Sequence, residues 1–313
     1  MEYLSDRPGR YGVAVRNIET SQTVLIGAER QFPSASTYKL LVMYRVYQEI
    51  ANGTLSPEDV VTITSRDAVE DEPSSGLHRG QIVTVAYALQ AVITVSSNAA
   101  AYALTRAVGG RDTLEAAADE LGMSQTGSSG GYFRTTARDM LVFLEGLAED
   151  RLISADASRG MVGLLVRQTV NDRLPALLPD GVAVAHKTGE LSYVRNDVGI
   201  VYTPGARYVI VVLGQGADQR GIERTIAEVS RRTYYRYGRP DVAWDEAGTV
   251  ASDGLRRRSS PWGEVIGMLP ARVLVRLDDR GQDAEGADWY RVTIGWGAEG
   301  RVYGEHLAAR SDS

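Results

Sequence analysis

A serine and a lysine three residues apart could form an acyl-transfer nucleophile early in the chain. Ser36 and Lys39 belong to the segment Phe32-Pro33-Ser34-Ala35-Ser36-Thr37-Tyr38-Lys39, which opens an apolar run. On a helix this spacing places the hydroxyl and the amine on one face, and a helix N-terminus offers N–H donors to a developing oxyanion. The segment predicts a nucleophile beside its base, although Ser-x-x-Lys alone is more typical of a capping serine with a solvated lysine.

A second segment, Val95-Ser96-Ser97-Asn98, could supply a proton relay and a substrate contact. It falls at the junction between two predicted helices. A serine at such a junction can pass a proton to a leaving group, and an asparagine can hydrogen-bond an amide of the substrate. Ser96 and Asn98 are therefore candidate site residues.

A third segment, His186-Lys187-Thr188-Gly189-Glu190, ends a predicted strand. A lysine beside a hydroxyl can bind a carboxylate, so Lys187 and Thr188 are candidate substrate-binding residues. Gly189 allows the backbone to approach a ligand closely. The following N–H, that of Glu190, could then be the second donor of an oxyanion hole.

Composition excludes several other chemistries. The 313 residues contain 43% hydrophobic and 24% charged residues, which is typical of a globular protein with one large and one small domain. A net charge of −6 argues against nucleic acid as a partner. The absence of cysteine excludes disulfides and thiolate metal sites, and none of the three histidines stands in a nucleophile-elbow pattern. We expect neither a metal nor a cofactor.

The given sequence shows neither the pattern of a membrane span nor that of a signal peptide. No apolar run approaches the roughly 20 residues of a membrane span, so we expect none. The first six residues have neither the basic nor the apolar region of a signal peptide. Two locations stay open: the cytoplasm, or export to the cell-wall side with a leader removed and Met1 added.

The predicted elements place the three segments in one domain. Strands at 11–17 and 21–27 come first, followed by helices at 36–51, 84–93, 99–108, 112–121, 137–148 and 155–169, with a glycine- and serine-rich loop at 124–131. Strands at 181–186, 197–202 and 208–213 and a helix at 221–237 follow. The last helix can pack on a sheet made from both ends of this domain.

Tyr237-Gly238-Arg239-Pro240 interrupts this pattern. Beyond it, short predicted strands with close turns indicate a small β-barrel of some 60 residues. The predicted domains are therefore 1–238 and 247–313, joined by a linker at 239–246.

The three segments, in this order, resemble the motifs of the penicillin-recognising serine enzymes. The flanks Phe32-Pro33-x-Ala35-Ser36-Thr37 and Ile93-Thr94-Val95-Ser96 look most like class A β-lactamases, and the resemblance covers residues 11–237. It implies an α/β (α+β) fold of the β-lactamase/transpeptidase type, with a five-stranded antiparallel sheet beside a helical domain. It also implies a β-lactam or a peptidoglycan-like amide as substrate, which favours the exported location.

The resemblance assigns a role to each candidate residue. Ser36 would be the nucleophile, Lys39 its base, and Ser96 the proton donor to the leaving nitrogen. The remaining roles concern the substrate: the acylamide side chain would bind Asn98, the carboxylate would bind Lys187 and Thr188, and the oxyanion would bind the N–H groups of Ser36 and Glu190.

Two positions depart from the class A pattern. Ser97 stands where those enzymes usually have a structural Asp. More importantly, class A enzymes carry a long loop whose Glu activates the water that frees the acyl-enzyme, whereas residues 123–134 are short and contain no carboxylate. Glu190, or an acid of the polar loop 67–80 such as Glu70, Asp71 or Glu72, could substitute.

Several functions stay open as a result. The chain could be a slow β-lactamase, a D-alanyl-D-alanine peptidase or esterase, or a protein that binds cell wall or β-lactams without turnover. A glutamine amidohydrolase shares Ser-x-x-Lys, but Lys187-Thr188-Gly189 favours β-lactam-type substrates.

The C-terminal region resembles bacterial SH3 domains, which often bind cell-wall peptides. A solubilising or dimerising appendage is the alternative. The residues that carry the resemblance are Gly254-Leu255-Arg256-x-Arg258-Ser259, Val265-Ile266-Gly267-x-Leu269-Pro270, Trp289-Tyr290-x-Val292 and Gly300-Arg301-Val302-Tyr303-Gly304.

Overall fold

The structure is a computed structural model that describes residues 2–67, 75–203, 206–238, 247–250, 255–261, 263, 265–269, 274–294 and 299–309. The chain begins with a short helix, two strands, a third short strand and a 3₁₀ turn that leads into a long helix. These elements are α1 (Glu2–Ser5), β1 (Arg10–Asn17), β2 (Thr23–Ile26), β3 (Phe32–Pro33), the turn Ala35–Tyr38 and α2 (Lys39–Ala51).

A mainly helical segment follows, and three strands and a helix then complete this part of the chain. The helical segment contains β4 (Val60–Thr62), β5 (Ile82–Thr84), α3 (Val85–Thr94), α4 (Asn98–Ala107), α5 (Arg111–Glu120), β6 (Gly127–Ser129), β7 (Tyr132–Thr135), α6 (Ala137–Ala148) and α7 (Ala155–Leu165). The last four elements are β8 (Ala183–Leu191), β9 (Val194–Tyr202), β10 (Arg207–Gln215) and α8 (Gln219–Tyr237).

The main sheet joins both ends of this domain, as predicted. Its antiparallel strands lie in the order β2-β1-β10-β9-β8. Because side chains alternate between the faces of a strand, β10 presents Ile210 and Val212 to one buried cluster and Val209 and Val211 to another. Helix α8 packs on the first face and α6 on the second. The α/β fold with an antiparallel sheet beside helices is therefore confirmed.

Helix α2 is the centre of the helical part. Residues 39–44 are all buried, and the helix contacts α3, α4, α5 and α7. A helix enclosed on so many sides cannot shift without disturbing the packing of its neighbours. The N-terminal end of α2, where Ser36 and Lys39 lie, is accordingly held in place.

Side-chain caps fix the starts of the helices that surround α2. Thr84, Thr136 and Ser154 accept hydrogen bonds from the backbone N–H groups of Tyr87, Asp139 and Ala157, respectively. Such a cap is typically worth about 1 kcal/mol. Helix α7 ends at Leu165, four residues before the predicted end at residue 169.

The predicted loop at 124–131 is wrong in part, since β6 and β7 form a hairpin there. Gly130 and Gly131 make its turn, and both have positive φ. Strand β7 also pairs with β3, opposite Phe32 and Pro33. This pairing joins segments about 100 residues apart, so the local excess of glycine and serine could not reveal it.

The C-terminal region is a β structure, as predicted. Its seven strands lie in the order β13-β12-β16-β15-β14-β11-β17. Their bounds are β11 (Ala247–Val250), β12 (Leu255–Arg258), β13 (Val265–Leu269), β14 (Leu274–Gln282), β15 (Asp288–Ile294), β16 (Glu299–Tyr303) and β17 (Leu307–Ala309). The SH3 resemblance and the domain boundaries stay predictions, and the linker 239–246 lies outside the described residues.

A search for membrane-spanning helices in the described part of the chain finds none with the length and hydropathy required.

Candidate active site

The predicted nucleophile lies in the 3₁₀ turn that precedes α2. Ala35, directly before Ser36, has a φ of +47°, a left-handed conformation that is costly for a residue with a Cβ atom. The turn is anchored on one side by the hairpin, because the backbone N–H and the hydroxyl of Ser34 both donate to the carbonyl of Phe133, at 2.8 Å and 2.9 Å. The surrounding contacts thus hold Ser36 in a strained turn.

Asn196 of β9 anchors the same turn from the other side. Its side-chain amide, which is fully buried, donates to the carbonyl oxygens of Pro33 at 3.0 Å and Ser34 at 3.1 Å. Its side-chain oxygen accepts the backbone N–H of Gly214 at 3.2 Å. No sequence motif pointed to this residue, although Asn196 and Asp197 directly precede the apolar run 198–202 of the strand and were an available signal.

Lys39 is fully buried beside the second motif. Its ammonium nitrogen donates to Asn98 Oδ1 at 2.7 Å and contacts the backbone oxygen of Ser96. It also lies 3.3 Å from Ser96 Oγ. The structure therefore brings together the base predicted from the first motif and both candidate residues of the second.

Ser96 lies between the two lysines. Its φ is +60°, so the chain turns sharply between α3 and α4 at this residue. Lys187 Nζ donates to Ser96 Oγ at 2.9 Å, opposite the 3.3 Å contact from Lys39. A hydroxyl held by two amines can give up its proton on one side and recover a proton from the other.

Ser97, which departs from the class A pattern, caps α4. Its buried hydroxyl accepts the backbone N–H of Ala100 at 3.1 Å. An Asp at this position could accept the same hydrogen bond. The substitution therefore preserves a helix start and leaves the neighbouring hydroxyl of Ser96 in place.

Lys187 is fully buried on β8 and also donates to the carbonyl of Thr188, at 2.9 Å. Burial, and then the positive charge of Lys39, lower the pKa of Lys187 well below its ordinary 10.5, although the negative charge of Asp197 opposes the shift. Lys39 and Lys187 are the only lysines of the chain, and every other residue counted as Lys or Arg is an arginine. Lysine is the residue whose proton a buried site can remove, whereas arginine keeps its charge.

Gly189 lets β8 lie against the nucleophile turn. A Cβ atom at this position would be 2.8 Å from the carbonyl oxygen of Ser34 and 3.2 Å from the amide nitrogen of Ser36. Any larger residue would push the strand away from the turn. The close approach brings β8 against the turn that carries Ser36, and an oxyanion hole built from the N–H groups of Ser36 and Glu190 would require such an approach.

The carboxylate of Glu190 pairs with Arg173, which the sequence analysis also missed. The Arg173 side chain is fully buried, whereas that of Glu190 is 50% exposed. Arg173 Nη1 donates to the backbone oxygen of Asn196 at 3.3 Å, and Nε lies 3.4 Å from Asp172 Oδ1. A buried arginine thus lies at the cleft edge of β8 with its charge balanced by a residue of the third motif.

His186 and Asp197 form a buried pair behind the third motif. His186 Nδ1 lies 2.9 Å from Asp197 Oδ1, and Nε2 lies 3.1 Å from Asn171 Oδ1. Asp197 also accepts the backbone N–H of Leu174 at 3.0 Å. Both ring nitrogens of His186 thus contact side-chain oxygens of an Asp or an Asn. The pair holds the chain segment before β8 in place and is not part of a Ser-His-Asp triad.

The carboxylate closest in sequence to the hairpin on its C-terminal side is already engaged. Asp139 Oδ2 accepts the backbone N–H of Gln125 at 2.9 Å and the hydroxyl of Thr126 at 2.7 Å, so this side chain ties the hairpin to α6. The other acids proposed as substitutes, Glu70, Asp71 and Glu72, lie outside the described residues. Within the described ranges, no group of three potential ligands could hold a metal ion.

Comparison with known proteins identifies the family. A family model described as the beta-lactamase enzyme family matches residues 1–237. The chain is 24% identical to a β-lactamase of Bacillus licheniformis over 239 residues, which cover 71% of this chain and 77% of the relative. It is 26% identical to the extended-spectrum β-lactamase PER-1 of Pseudomonas aeruginosa over 249 residues, covering 71% and 81%.

Solved structures agree with this assignment. An ancestral class A β-lactamase has a TM-score of 0.70 at 29% identity, covering 75% of this chain and 99% of the other. A β-lactamase from Sphaerobacter thermophilus has a TM-score of 0.69 at 26% identity, with coverages of 74% and 91%. Because the family match spans more than half of the 313 residues, the chain belongs to the β-lactamase enzyme family.

Proposed function

We propose that this protein is a serine hydrolase that opens β-lactam amides through an acyl-enzyme on Ser36 and releases the acyl group slowly. The observation that carries the proposal is the position of the Ser96 hydroxyl, 2.9 Å from Lys187 Nζ and 3.3 Å from Lys39 Nζ. This arrangement supports the proposal because it holds the proposed base, Lys39, beside a hydroxyl that could pass a proton to the leaving nitrogen.

Acylation would proceed in two steps. In the first, the Ser36 hydroxyl oxygen attacks the amide carbon while its proton passes to neutral Lys39, and the N–H groups of Ser36 and Glu190 stabilise the oxyanion. In the second, the carbon–nitrogen bond breaks. Ser96 then gives its proton to the departing nitrogen and recovers one from a neighbouring ammonium group.

Substrate binding would use the groups around this path. Lys187 and Thr188 suit the carboxylate of the substrate, and Asn98 suits the acylamide side chain. The Asn98 oxygen accepts a hydrogen bond from Lys39 at 2.7 Å, an orientation that directs its amide nitrogen elsewhere, where it can serve a carbonyl of the substrate. Binding and base positioning would thus be coupled through one side chain.

We expect slow release of the acyl group because the segment that contains the β6–β7 hairpin offers no general base. Residues 123–134 contain no carboxylate, and Asp139 is engaged in tying the hairpin to α6. A positioned general base is typically worth about 10²–10⁴-fold in rate. Water attack on the acyl-enzyme lacks this assistance from the hairpin, whereas acylation has all its groups.

Incubation with a chromogenic cephalosporin, combined with intact-protein mass spectrometry at early and late times, tests the proposal. We expect an adduct on Ser36 that forms quickly and persists. An unmodified protein throughout, with no product formed, would contradict it.

A penicillin-binding D-alanyl-D-alanine peptidase or esterase is the second candidate, and the carboxylate-free hairpin favours it. A mutant of a structural neighbour, PBP-A, is known as an acyl-enzyme complex with penicillin G. In this case a depsipeptide ending in a D-alanine-like unit would turn over faster than any β-lactam. A protein that binds without turnover would show neither reaction.

The remaining proposals concern the setting of the enzyme. We infer that the C-terminal β region, residues 247–313, is an SH3-like domain that binds cell-wall peptides, and that the protein acts on the cell-wall side. Co-sedimentation of the full chain with purified peptidoglycan tests both, since a chain that stays in the supernatant would contradict cell-wall binding.

A further inference from the structure

We propose that Glu190 makes the cleft select against substrates with a free carboxylate beside the scissile amide. Its own carboxylate already pairs with Arg173, on the strand that carries Thr188, the residue proposed to bind the substrate's acid. The inference rests on the proposed function, because it concerns substrate choice in the same cleft. A free acid would still bind Lys187 and Thr188 but less tightly than without Glu190, whereas an acid that is esterified, amidated or balanced by a neighbouring cation would escape this penalty.

Glu190 lies on β8 close in sequence to the proposed carboxylate-binding residue. Glu190 and Thr188 are two residues apart on one strand, so their side chains leave the same face about 7 Å apart. Thr188 is the hydroxyl proposed to bind the substrate's carboxylate. Gly189, between them, faces the nucleophile turn so closely that a Cβ atom there would be 2.8 Å from the carbonyl oxygen of Ser34. The carboxylate of Glu190 is therefore a close neighbour of any acid bound at Thr188.

Arg173, the ion-pair partner of Glu190, is held in a fixed position. Its guanidinium is fully buried: Nη1 donates to the Asn196 carbonyl at 3.3 Å, Nη2 pairs with Glu190, and Nε lies 3.4 Å from Asp172 Oδ1 without a hydrogen bond. A guanidinium held on several sides cannot turn to a new anion at low cost. It is therefore available to a substrate's acid only if Glu190 moves away, and the Glu190 side chain, 50% exposed, has room to do so.

The charges of Glu190 and Arg173 determine how strongly the cleft attracts an anionic substrate. Without Glu190, buried Arg173 would keep Asp172 at 3.4 Å as an ion-pair partner and would attract an anionic substrate more strongly. With Glu190 present, one negative charge opposes the incoming acid at short range and cancels the charge of Arg173. For a half-exposed pair of like charges at this separation, the expected penalty on an anion is about tenfold in reactivity.

The test compares the free acid of one chromogenic cephalosporin with its methyl ester. The second-order rate constant for acylation of Ser36 is measured for both compounds, in the full-length wild type and in Glu190→Gln. Glutamine keeps an oxygen that can accept from Arg173 but removes the charge. We expect the acid-to-ester ratio to rise about tenfold in the variant, and the wild-type ratio to rise with salt because screening weakens the repulsion.

Glu19→Gln is the matched control. Glu19 also pairs with an arginine, Arg207, at 3.1 Å, but it is in the turn between β1 and β2. We expect this variant to keep the wild-type ratio. A ratio that is unchanged or lower in Glu190→Gln would overturn the inference and leave the proposed function intact, provided that Ser36 is acylated. Absence of an adduct from both compounds in the wild type would overturn both.

Discussion

The side-chain amide of Asn196 donates to the carbonyl oxygen of Ser34 at 3.1 Å, two residues before the nucleophile. The same amide reaches Pro33, and the backbone oxygen of Asn196 accepts from Arg173. Strand β9 therefore holds the turn that carries Ser36 and, through Arg173, the side chain of Glu190. Asn196 acts as a positioning residue, because none of its contacts is with a reacting atom.

We predict that Asn196→Ala slows acylation more than it destabilises the fold. The two carbonyls would lose their buried donor, at a cost of about 1–3 kcal/mol in the free energy of unfolding, and the turn would be free to shift. A displacement near 1 Å at a reacting group can cost about 10²-fold in rate. Denaturant unfolding and the acylation rate constant, measured on the same preparation, check this.

Asn17→Ala provides the control for this prediction. Asn17 is also buried and hydrogen-bonds the backbone N–H of Thr20 at 2.8 Å, in the turn that follows β1. Its loss should lower stability without a comparable loss of acylation. If both variants lose acylation in proportion to stability, Asn196 has no special positioning role.

A second prediction concerns the nucleophile. Ser36→Ala should abolish the covalent adduct, because removing the nucleophile from a unit of interacting residues costs most of the catalysis. Ser128→Ala, in the exposed part of the hairpin, serves as the control and should acylate normally. An adduct that forms on Ser36→Ala at the wild-type rate would assign the chemistry to another residue.

A third prediction uses the two lysines. Because the chain has no others, ¹³C-lysine labelling gives NMR signals from Lys39 and Lys187 alone. We expect the Lys187 signal to titrate well below pH 10.5, since burial and Lys39 lower its pKa. Separately, acylation should fall as the pH drops, because protonation of Lys39 removes the neutral amine that accepts the proton of Ser36. A rate that is flat from pH 5 to about 9 would contradict a lysine base.

The lowered pKa of Lys187 has a consequence for stability. Unfolding returns the group toward its ordinary pKa of 10.5, so the unfolded chain binds more protons between the lowered pKa and this value. The free energy of unfolding should therefore rise with pH across this window, by at most about 1.4 kcal/mol per pH unit. Lys187→Met should reduce this slope, as measured by urea unfolding at several pH values. An equal slope in both proteins would contradict the linkage.

The sequence predicted the parts of the site that depend on local spacing. The Ser36–Lys39 spacing and the start of α4 follow from helix geometry and capping, and the order of the three motifs indicated the sheet and the helical domain. Arg173 and Asn196 were missed because their roles depend on contacts with strands that are close only in the folded chain. The β6–β7 hairpin was missed for the same reason, since its partner is β3.

A fourth prediction concerns the C-terminal region. The proline- and glycine-containing segment around residue 239 is typical of a domain boundary, and the sheet at 10–215 is complete without any strand from 247–309. A chain that ends at Ala243 should therefore fold and acylate at the wild-type rate, as judged by circular dichroism and adduct formation. Aggregation or loss of acylation would show that the C-terminal β region supports the catalytic domain.

The last prediction concerns turnover. We expect a burst of product about equal to the enzyme, followed by a slow steady state, because acylation has its full set of groups whereas water attack lacks a carboxylate from residues 123–134. Glu190, beside the third motif, is the described acid proposed above as a replacement base, but its Oε1 is engaged with buried Arg173, which makes the carboxylate a weaker base. Glu190→Gln should therefore leave the rate of the slow phase within about threefold of wild type, far less than the 10²–10⁴-fold expected for a lost general base.

Rapid linear hydrolysis without a visible adduct would contradict slow release, and a slow phase that nearly disappears in Glu190→Gln would identify this residue as the base. Glu70→Gln would be the next variant to measure if fast hydrolysis survives the loss of Glu190.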